Sequence, residues 1–320
     1  MATYKGIQGY SVPSLASDPP AAESVGQLWY NSASNVWKVG TQAAASWASG
    51  GALNNGRYRG GGGGIGTLTA GMIVGGYSTA TGSYSAQAEQ YNGTSWTEGP
   101  MADYPSITGD LGQCGTTTAS IGVGGNSTSP VAEVYVGNGS TWSAGTSYPA
   151  AHERIGVAGL STSAVAVGGA SPSTDGTWNY DGSTWTAGGN YTHSGSNIGI
   201  SGIQTAAIAF DGYENPGDGT EAATYDGSTW TAITATSTAR GEFGWSTKGP
   251  TTDTMAFGGN TEKWNGSSWT ELANVATPRT AGFSLGTTAA ALYAGGNPGG
   301  VTTTEEWQDP VYSIKTVTTS

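Results

Sequence analysis

The heptapeptide Tyr91-Asn92-Gly93-Thr94-Ser95-Trp96-Thr97 occurs again, with small changes, throughout the chain. Close copies begin at Tyr180, Tyr225 and Trp264, a looser copy with two extra residues begins at Tyr135, and a degenerate copy begins at Trp307. The spacings between these leading aromatic residues are 44, 45, 45, 39 and 43 residues. A period of this length is the signature of a repeat architecture.

A second signature precedes each heptapeptide: a glycine pair that ends a run of small apolar residues. The pairs are Gly75-Gly76, Gly124-Gly125, Gly168-Gly169, Asp211-Gly212, Gly258-Gly259 and Gly295-Gly296, with Asp211 as the one exception to glycine. Nine residues before the first member of each pair lies another glycine, at Gly66, Gly115, Gly159, Gly202, Gly249 and Gly286. Six matches to one offset indicate six copies of one structural unit.

Each unit is predicted to contain four strands. In the third unit, residues 155–158 and 164–167 form the first two, and the apolar pattern of the second is typical of a strand buried on both faces. The leading aromatic residue lies on the third strand, and an Asn-Gly or Asp-Gly turn leads to the tryptophan of the fourth. One such sheet cannot cover its own faces, whereas six around an axis can, so the sequence predicts an all-β, six-bladed β-propeller.

The order of glycine pair, tyrosine and tryptophan resembles that of Kelch repeats, as do arginines early in several units, at Arg57, Arg154, Arg240 and Arg279. The resemblance covers roughly residues 45–320 and implies a Kelch-type propeller in which the glycine and tryptophan positions serve packing. The repeated tryptophans could alternatively stack on sugars, but their place in the repeat rather than in a loop favours packing. The loose second copy and the missing last tryptophan depart from the pattern.

The two ends of the chain are predicted to share one blade. Ala45-Ser46-Trp47-Ala48-Ser49-Gly50 resembles Ser140-Thr141-Trp142-Ser143-Ala144-Gly145, but no glycine-pair strand precedes it. The sixth unit, conversely, has a poor fourth strand. We therefore expect the strand of Trp47 to close the sixth blade; the alternative is a self-closed blade that uses Tyr312. The predicted domains are an N-terminal segment, 1–44, and the propeller, 45–320.

Composition and charge exclude several function classes. The net charge is −12 and only ten lysines and arginines are scattered over 320 residues, so a nucleic-acid partner is not expected. No apolar run approaches the roughly 18 residues that cross a bilayer, so membrane insertion is not expected. The start, Met1-Ala2-Thr3-Tyr4-Lys5-Gly6, lacks the features of a secretory signal, and Cys114 is the single cysteine.

Catalytic and cofactor motifs are not found in the sequence. His152 and His193 fall in predicted loops between blades with no cluster of histidine, cysteine and carboxylates beside them, so no metal is expected. Two histidines and Cys114 do not supply the ligands of Kelch-type copper oxidases. Asp181-Gly182 and Asp226-Gly227 lack the intervening residue of a sialidase aspartate box. We expect a protein that is not an enzyme and holds no cofactor.

Loop lengths indicate which face is functional. The loops after the glycine pair vary from two residues, Asn260-Thr261, to about a dozen, 77–88, and share one rim with the loops between blades. Variable loops on a rigid scaffold commonly carry function. The residues predicted to contact a partner are Tyr77, Tyr84, Asp103, Tyr104, His152, Arg154, Tyr191, His193, Tyr213 and Glu214. For each of them, a solvated loop residue without a partner is the alternative.

The first 44 residues lack the repeat and are predicted to hold a linker and an isolated aromatic hairpin. Met1-Ala2-Thr3-Tyr4-Lys5-Gly6-Ile7-Gln8-Gly9-Tyr10 and Gly26-Gln27-Leu28-Trp29-Tyr30-Asn31 resemble the starts of virion structural proteins from tailed bacteriophages of marine cyanobacteria. This resemblance covers about 40 residues. It implies a segment that anchors to the particle, with the propeller displayed outward. The candidate anchoring residues are Tyr4, Tyr10, Trp29, Tyr30 and Trp37.

Together these features predict a virion structural protein that is made in the host cytoplasm without a signal peptide. The N-terminal segment is expected to bind other virion proteins. The variable loops are expected to serve tail-associated adhesion or host-surface recognition, with a surface glycan as candidate ligand and a homo-oligomer as candidate assembly. Capsid decoration is the alternative within this class, and a soluble carbohydrate-binding propeller lectin is the alternative from another class.

Overall fold

The computed structural model describes residues 12–60, 63–214 and 217–318. Within these residues the regular structure is β-strand, apart from one short 3-10 helix, Ala21–Glu23. No helix in the described part of the chain is long and apolar enough to span a bilayer. The fold is therefore all-β, as predicted.

The strands are numbered here in chain order. The first five are β1 (Ser14–Leu15), β2 (Leu28–Asn31), β3 (Val36–Gln42), β4 (Ser46–Ser49) and β5 (Arg57–Tyr58). The first and second repeats contain β6 (Ile65–Thr67), β7 (Ala70–Val74), β8 (Tyr77–Ser78), β9 (Ser83–Tyr84), β10 (Ala88–Tyr91), β11 (Trp96–Glu98), β12 (Gly112–Thr116), β13 (Ala119–Val123), β14 (Val134–Gly137) and β15 (Trp142–Ala144).

The third and fourth repeats contain β16 (Gly156–Leu160), β17 (Ser163–Val167), β18 (Thr177–Tyr180), β19 (Trp185–Ala187), β20 (Gly199–Ile203), β21 (Ala206–Phe210), β22 (Tyr213–Glu214), β23 (Gly217–Asp218), β24 (Ala222–Tyr225) and β25 (Trp230–Ala232). The remaining strands are β26 (Gly244–Trp245), β27 (Thr254–Phe257), β28 (Thr261–Trp264), β29 (Trp269–Leu272), β30 (Phe283–Thr287), β31 (Ala290–Ala294), β32 (Thr304–Gln308) and β33 (Tyr312–Thr316).

The chain divides into two compact units. The described part of the smaller one, the terminal unit, contains residues 12–45 and 309–318; the larger one, the repeat unit, spans residues 46–308. The described part of the repeat unit holds six four-stranded antiparallel sheets. Their strand orders are β6-β7-β10-β11, β12-β13-β14-β15, β16-β17-β18-β19, β20-β21-β24-β25, β26-β27-β28-β29 and β30-β31-β32-β4. This set of sheets is consistent with a propeller.

Each of the first five sheets holds one sequence repeat in the predicted order, and the sixth holds the first three strands of the last repeat. In the third sheet the small apolar residues of β17 are almost entirely buried, and the glycine pair follows at Gly168 and Gly169. Both have positive φ, +66° and +132°, and a Cβ on Gly168 would lie 2.6 Å from the Gly195 carbonyl oxygen. Glycine is favoured at both positions by the positive φ and, at Gly168, by the backbone of the next repeat, which passes too close for a side chain there.

In the close copies of the repeat, the leading aromatic and the tryptophan pair across the third and fourth strands. Tyr180 lies opposite Trp185 with ring centroids 4.7 Å apart, and the other close copies have the same register. The two extra residues of the second copy place Gly137, not Tyr135, opposite Trp142. The ring of Tyr104 lies 5.1 Å from that of Tyr135 and 5.0 Å from that of Trp142, so it contacts both aromatic residues of this repeat.

Neighbouring sheets contact one another through their first strands and through the repeat tryptophans. The first strands follow the contact order β6, β12, β16, β20, β26, β30 and again β6. Each fourth-strand tryptophan donates a hydrogen bond from its indole N–H. Trp96 and Trp230 donate to the third strand of the preceding sheet, and the others donate to the segment that links the two sheets, as Trp142 does to the Ala102 carbonyl oxygen at 3.0 Å. The core lies between sheets, as where Val165 and Val167 pack with Ile198 and Ile200.

The outer strand of the sixth sheet comes from the other end of the sequence. Strand β4 pairs with β32 and places Trp47 opposite Trp307, with ring centroids 5.5 Å apart. The alternative strand, which contains Tyr312, pairs with β3 in the terminal unit instead, so the self-closed sixth blade is wrong. Pro310 lacks a backbone donor, and the segment after Gln308 has no glycine turn that would fold β33 back onto β32.

The predicted aromatic hairpin is present in the terminal unit but is not isolated. Strands β2 and β3 pair antiparallel, β1 joins β2 in parallel, and β33 joins β3. The predicted domain 45–320 therefore includes a last strand that belongs with the N-terminal hairpin. A lone hairpin is marginally stable, and the two added strands explain how this one is held.

Asp18 organises one face of this small sheet. Its Oδ1 accepts hydrogen bonds from the Trp29 indole at 3.0 Å and from the Asn31 amide at 2.7 Å, and Lys38 Nζ lies 2.7 Å from Oδ2. The hydrogen bonds from Lys38 and Asn31 lower the pKa of Asp18. Trp29 is consequently held inside the unit, with 1% of its surface exposed.

Candidate functional site

The variable loops and the loops between repeats lie at the same end of each sheet, here termed the loop end. First and third strands begin there and second and fourth strands finish there, because consecutive strands in each sheet are antiparallel. All ten residues predicted to contact a partner belong to these loops or to the short strands within them. The structure separates them into buried and accessible groups.

Three of the ten are buried and are not offered to a partner: Tyr104, His152 and Tyr191, which expose 3%, 9% and 3%. Tyr191 packs against Trp230 of its own repeat with centroids 4.9 Å apart, as Tyr104 packs against Trp142. His152 Nδ1 lies 3.1 Å from the Ala170 carbonyl oxygen. The expectation of solvent-exposed loop side chains is wrong for these three. Tyr104 and Tyr191 each fill the space beside a repeat tryptophan, and His152 lies beside Tyr148, the ring that does so for Trp185.

Tyr77 and Tyr84 are brought together by a small sheet, β5-β8-β9, in the long loop of the first repeat. Their rings are 5.5 Å apart at near right angles, and both are half-buried. Tyr84 Oη accepts a hydrogen bond of 2.8 Å from Arg59. Asp103, by contrast, is exposed and accepts a hydrogen bond from the Ala88 amide, which fixes the loop.

In five of the six sheets, a residue with left-handed backbone conformation precedes the first strand. These residues are Arg59, Asp110, Arg154, Asn197 and Ala281, with φ between +51° and +59°. Together with Glu242, these five residues are termed the entry ring. In it, the backbone amide of one residue donates to the backbone carbonyl oxygen of a residue in a neighbouring repeat. The donor and acceptor pairs are Asp110 to Arg59, Arg154 to Asp110, Asn197 to Arg154, Arg59 to Ala281 and Ala281 to Glu242. Sequence reasoning missed the ring because its members share a backbone conformation and not a residue type.

The entry ring is charged but too tight to be a ligand pocket. The Asp110 carboxylate lies 3.6 Å from Arg59 and 3.8 Å from Arg154, and Arg154 also lies 3.6 Å from Glu242. Burial raises the pKa of Asp110 to about 6 despite both guanidinium groups. The adjoining cavity measures about 10 Å³, which is room for about one water. Arg154, predicted to contact a partner, is instead mainly a member of this ion cluster.

An open groove of about 480 Å³ lies at the loop end of the fifth and sixth repeats, a size typical of small-molecule sites. It lies beside the shortest variable loop, at Asn260, which leaves the space uncovered. Its lining includes Asp218, Arg240, Asn260, Arg279 and Asn297. Sequence reasoning recorded the short loop but not the groove, because a groove depends on what neighbouring loops leave open.

A third cluster lies in the loops of the fourth repeat, where His193, Glu214 and Glu221 meet. Their nitrogen and oxygen atoms all lie within 4.8 Å of one another, and His193 Nε2 is 2.8 Å from Glu214 Oε1. The expectation that no carboxylate cluster accompanies the histidines therefore fails for His193. Glu221 was not singled out in the sequence, since 28 residues separate it from His193. Tyr213 beside it is exposed.

The candidate anchoring residues differ in accessibility. Tyr4 and Tyr10 lie outside the described residues. Trp29 is buried, with its indole N–H bonded to Asp18, so it is not available to a partner. Tyr30 is half-buried against Trp37, whose side chain is 44% exposed. Trp37 is thus the predicted anchoring aromatic that the structure presents to solvent.

The loop end and the terminal unit therefore each present a surface with features suited to binding, one polar and grooved, the other apolar. Comparison of the chain with models of protein families gives no match, and comparison with curated proteins gives none either.

Proposed function

We propose that this chain is a virion structural protein of a tailed bacteriophage. In this proposal the repeat unit is a six-bladed, Kelch-like propeller closed by β4. The terminal unit anchors it to other virion proteins, and the loop end recognises the host surface. We propose no catalytic role.

Hydrogen bonds between the first and last repeats support the closed ring. The second glycine of a pair donates to the next repeat, as Gly169 does to the Gly195 carbonyl oxygen at 2.9 Å. Gly296 of the sixth repeat makes the same bond, also 2.9 Å, to Arg57, which precedes the first sheet. The indole of Trp96 in turn donates to Thr304 Oγ1 of the sixth sheet at 2.9 Å.

The observation that carries the anchoring role is the concentration of exposed apolar surface in the terminal unit. Seven of the eleven large apolar side chains exposed in the described residues belong to it: Val12, Val25, Leu28, Trp37, Val311, Tyr312 and Val317. The strand register places Leu28, Tyr30, Trp37 and Val39 on the face opposite Trp29. Apolar patches of this kind mark protein interfaces.

The groove beside Asn260 supports recognition as the task of the loop end. Its exposed amides at Asn260 and Asn297 offer both donors and acceptors, the groups that orient polar ligands such as sugars. A polar groove suits adhesion, which requires a ligand site, whereas capsid decoration does not require one. The same groove favours the second candidate function, a carbohydrate-binding lectin.

Incorporation into particles tests the anchoring role. Phage that encode Trp37→Ser are expected to carry less of the protein, because the exposed indole is the largest apolar contact on the terminal sheet. Ile203→Ser removes an exposed apolar side chain from the repeat unit, 53% exposed, and is the matched control. Quantitative blotting of purified particles, with electron microscopy of labelled protein, measures both.

Absence of the protein from purified particles would contradict the virion proposal. Equal incorporation of Trp37→Ser and Ile203→Ser would contradict the assignment of the anchoring face while leaving the virion role.

Glycan-array binding by the full chain tests the groove. Asn260→Ala is expected to lower the affinity for a bound glycan about tenfold, the usual effect of losing one hydrogen bond to a ligand. Asp103→Ala, an exposed loop change on the first two repeats, is expected to leave affinity unchanged. A chain that is present on particles and binds no glycan would point to capsid decoration.

A further inference from the structure

His193, Glu214 and Glu221 come from three points of one repeat. His193 lies in the loop between β19 and β20, Glu214 ends β22, and Glu221 precedes β24. Each directs one nitrogen or oxygen atom to a common point, with all three atoms within 4.8 Å of one another. Imidazole nitrogen and carboxylate oxygen are ligands that Zn²⁺ takes in proteins, at about 2.0–2.2 Å.

Two of these atoms are buried and face each other. His193 Nε2 and Glu214 Oε1 are shielded from solvent, and outside this cluster neither has a hydrogen-bond partner among the residues that the structure describes. They are 2.8 Å apart, closer than the roughly 3.3 Å between two ligands of a tetrahedral zinc ion. A small outward rotation of either side chain would admit an ion, which would satisfy both atoms at once.

The imidazole is already oriented for such a role. His193 Nδ1 lies 3.2 Å from Thr192 Oγ1, and the ring packs against the buried ring of Tyr191 with centroids 4.6 Å apart. When Nδ1 carries the proton and shares it with the threonine hydroxyl, the lone pair of Nε2 points at the carboxylates. Second-shell contacts of this kind orient metal-bound histidines.

The charges around the cluster favour a cation. Glu214 and Glu221 each place a carboxylate oxygen in it, so two acidic groups meet within 4.8 Å. Arg240, whose backbone amide donates to the Gly219 carbonyl oxygen, has its guanidinium group engaged by Asp211 and Glu262 instead.

We propose that His193, Glu214 and Glu221 bind one divalent transition-metal ion, Zn²⁺ or one with similar ligand preference, at the loop end of the repeat unit. The imidazole separates this site from an all-oxygen Ca²⁺ site. Three protein ligands leave at least one coordination position for water or for an oxygen of another molecule. The inference is independent of the virion role.

Metal titration of the full chain tests this. After treatment with EDTA, we expect one Zn²⁺ to bind per chain by calorimetry at pH 7. Co²⁺ in place of Zn²⁺ should give visible absorption bands of a four- or five-coordinate ion.

Variants locate the site. Glu221→Gln and His193→Gln are each expected to lower Zn²⁺ affinity by at least about tenfold, since even second-shell losses cost this much. Glu271→Gln, an exposed carboxylate on β29, is the matched control and should bind as the parent does. Glu221 is exposed, so its variant is expected to fold even if a change at His193 does not.

Three results would overturn the assignment: no Zn²⁺ or Co²⁺ binding by the parent chain, unchanged affinity in Glu221→Gln, or tighter binding of Ca²⁺ than of Zn²⁺. The first two would remove the site, and the third would remove the transition-metal identity.

Discussion

At the scale of single residues, three buried arginines connect the end of the second strand to the third. Each pairs with a glutamate two positions before the leading aromatic: Arg57 with Glu89, Arg240 with Glu262 and Arg279 with Glu305. Arg57 and Glu89 expose none of their side chains, and Arg57 also donates to the Gly75 and Gln87 carbonyl oxygens at 2.9 Å. The arginines were visible in the sequence, but their glutamate partners become evident only when the strands are placed side by side.

Arg57→Ala is expected to lower the free energy of unfolding by about 3–5 kcal/mol, because it leaves the buried Glu89 carboxylate without its counter-ion and the Gly75 carbonyl oxygen without its donor. Equilibrium unfolding in urea measures the change. Lys263→Ala removes a cation that is partly exposed and 3.5 Å from Asp253, and should cost no more than about 1 kcal/mol. Similar losses of unfolding free energy in the two variants would show that the buried Arg57–Glu89 pair stabilises the fold no more than an exposed pair does.

Asp110 gives stability a pH dependence of a definite sign. Its folded-state pKa, about 6, lies above the ordinary value of about 3.9, so the folded chain holds more protons between these values. Its contribution to stability therefore falls as pH rises from about 4 to about 6 and stays unfavourable above. Asp110→Asn should gain stability relative to the parent over this interval, as measured by urea unfolding at pH 4, 5, 6 and 7.

Asp181 provides a control of opposite sign. Hydrogen bonds from Thr184 and Ser183 lower its pKa, so its contribution is present above pH 4 and is lost as pH falls below. The advantage of the parent over Asp181→Asn should shrink in acid. If Asp110→Asn followed the same direction, the burial of the Asp110 carboxylate would not govern its titration.

At the scale of elements, the features that could be predicted from the sequence are those determined by residues close together in the chain. The turn between third and fourth strands depends on neighbours in sequence: Asp181 Oδ1 accepts the amides of Ser183 and Thr184 at 2.8 Å and 2.7 Å. The pairing of β33 with β3 joins residues at least 270 positions apart, and no local pattern encodes it. The cluster of His193 and Glu221 could not be predicted for the same reason, since the two residues are distant in sequence. Tyr104 and Tyr191 were predicted to be accessible because they lie in loops, and the sequence does not show that their rings are buried.

Trp47 should behave as a fourth-strand tryptophan although it stands before the first repeat. Its ring contacts Phe257 at 4.9 Å and its indole donates to Ala273, as Trp185 donates to Thr146. Both side chains are half-buried, so replacing either with alanine should cost about 2 kcal/mol from lost apolar burial. Thermal and urea unfolding of Trp47→Ala and Trp185→Ala measure this; a Trp47→Ala chain as stable as the parent would contradict the role of β4.

At the scale of the whole molecule, β4 is the one strand of the six described sheets that does not come from its own repeat's stretch of sequence. Its partner β32 lies more than 250 residues away in the sequence. Bringing the two strands together costs conformational entropy, and this cost grows only with the logarithm of the number of residues between them. In return, the sixth sheet receives a fourth strand, and the strand edge that β32 would otherwise expose is covered.

Two truncations that both lack the terminal unit isolate this effect. A chain of residues 46–308 keeps β4 and should unfold cooperatively, because its six sheets retain all their strands. A chain of residues 51–308 loses β4, including the contacts of Trp47 with Trp307 and Phe257. It should unfold at lower urea concentration and lose amide protection first in β32 and β31, as hydrogen exchange would show, since these strands then stand at an open edge. Unfolding of both chains at the same urea concentration, with β32 equally protected, would mean that the sixth sheet does not depend on the N-terminal strand and that the ring is not closed there.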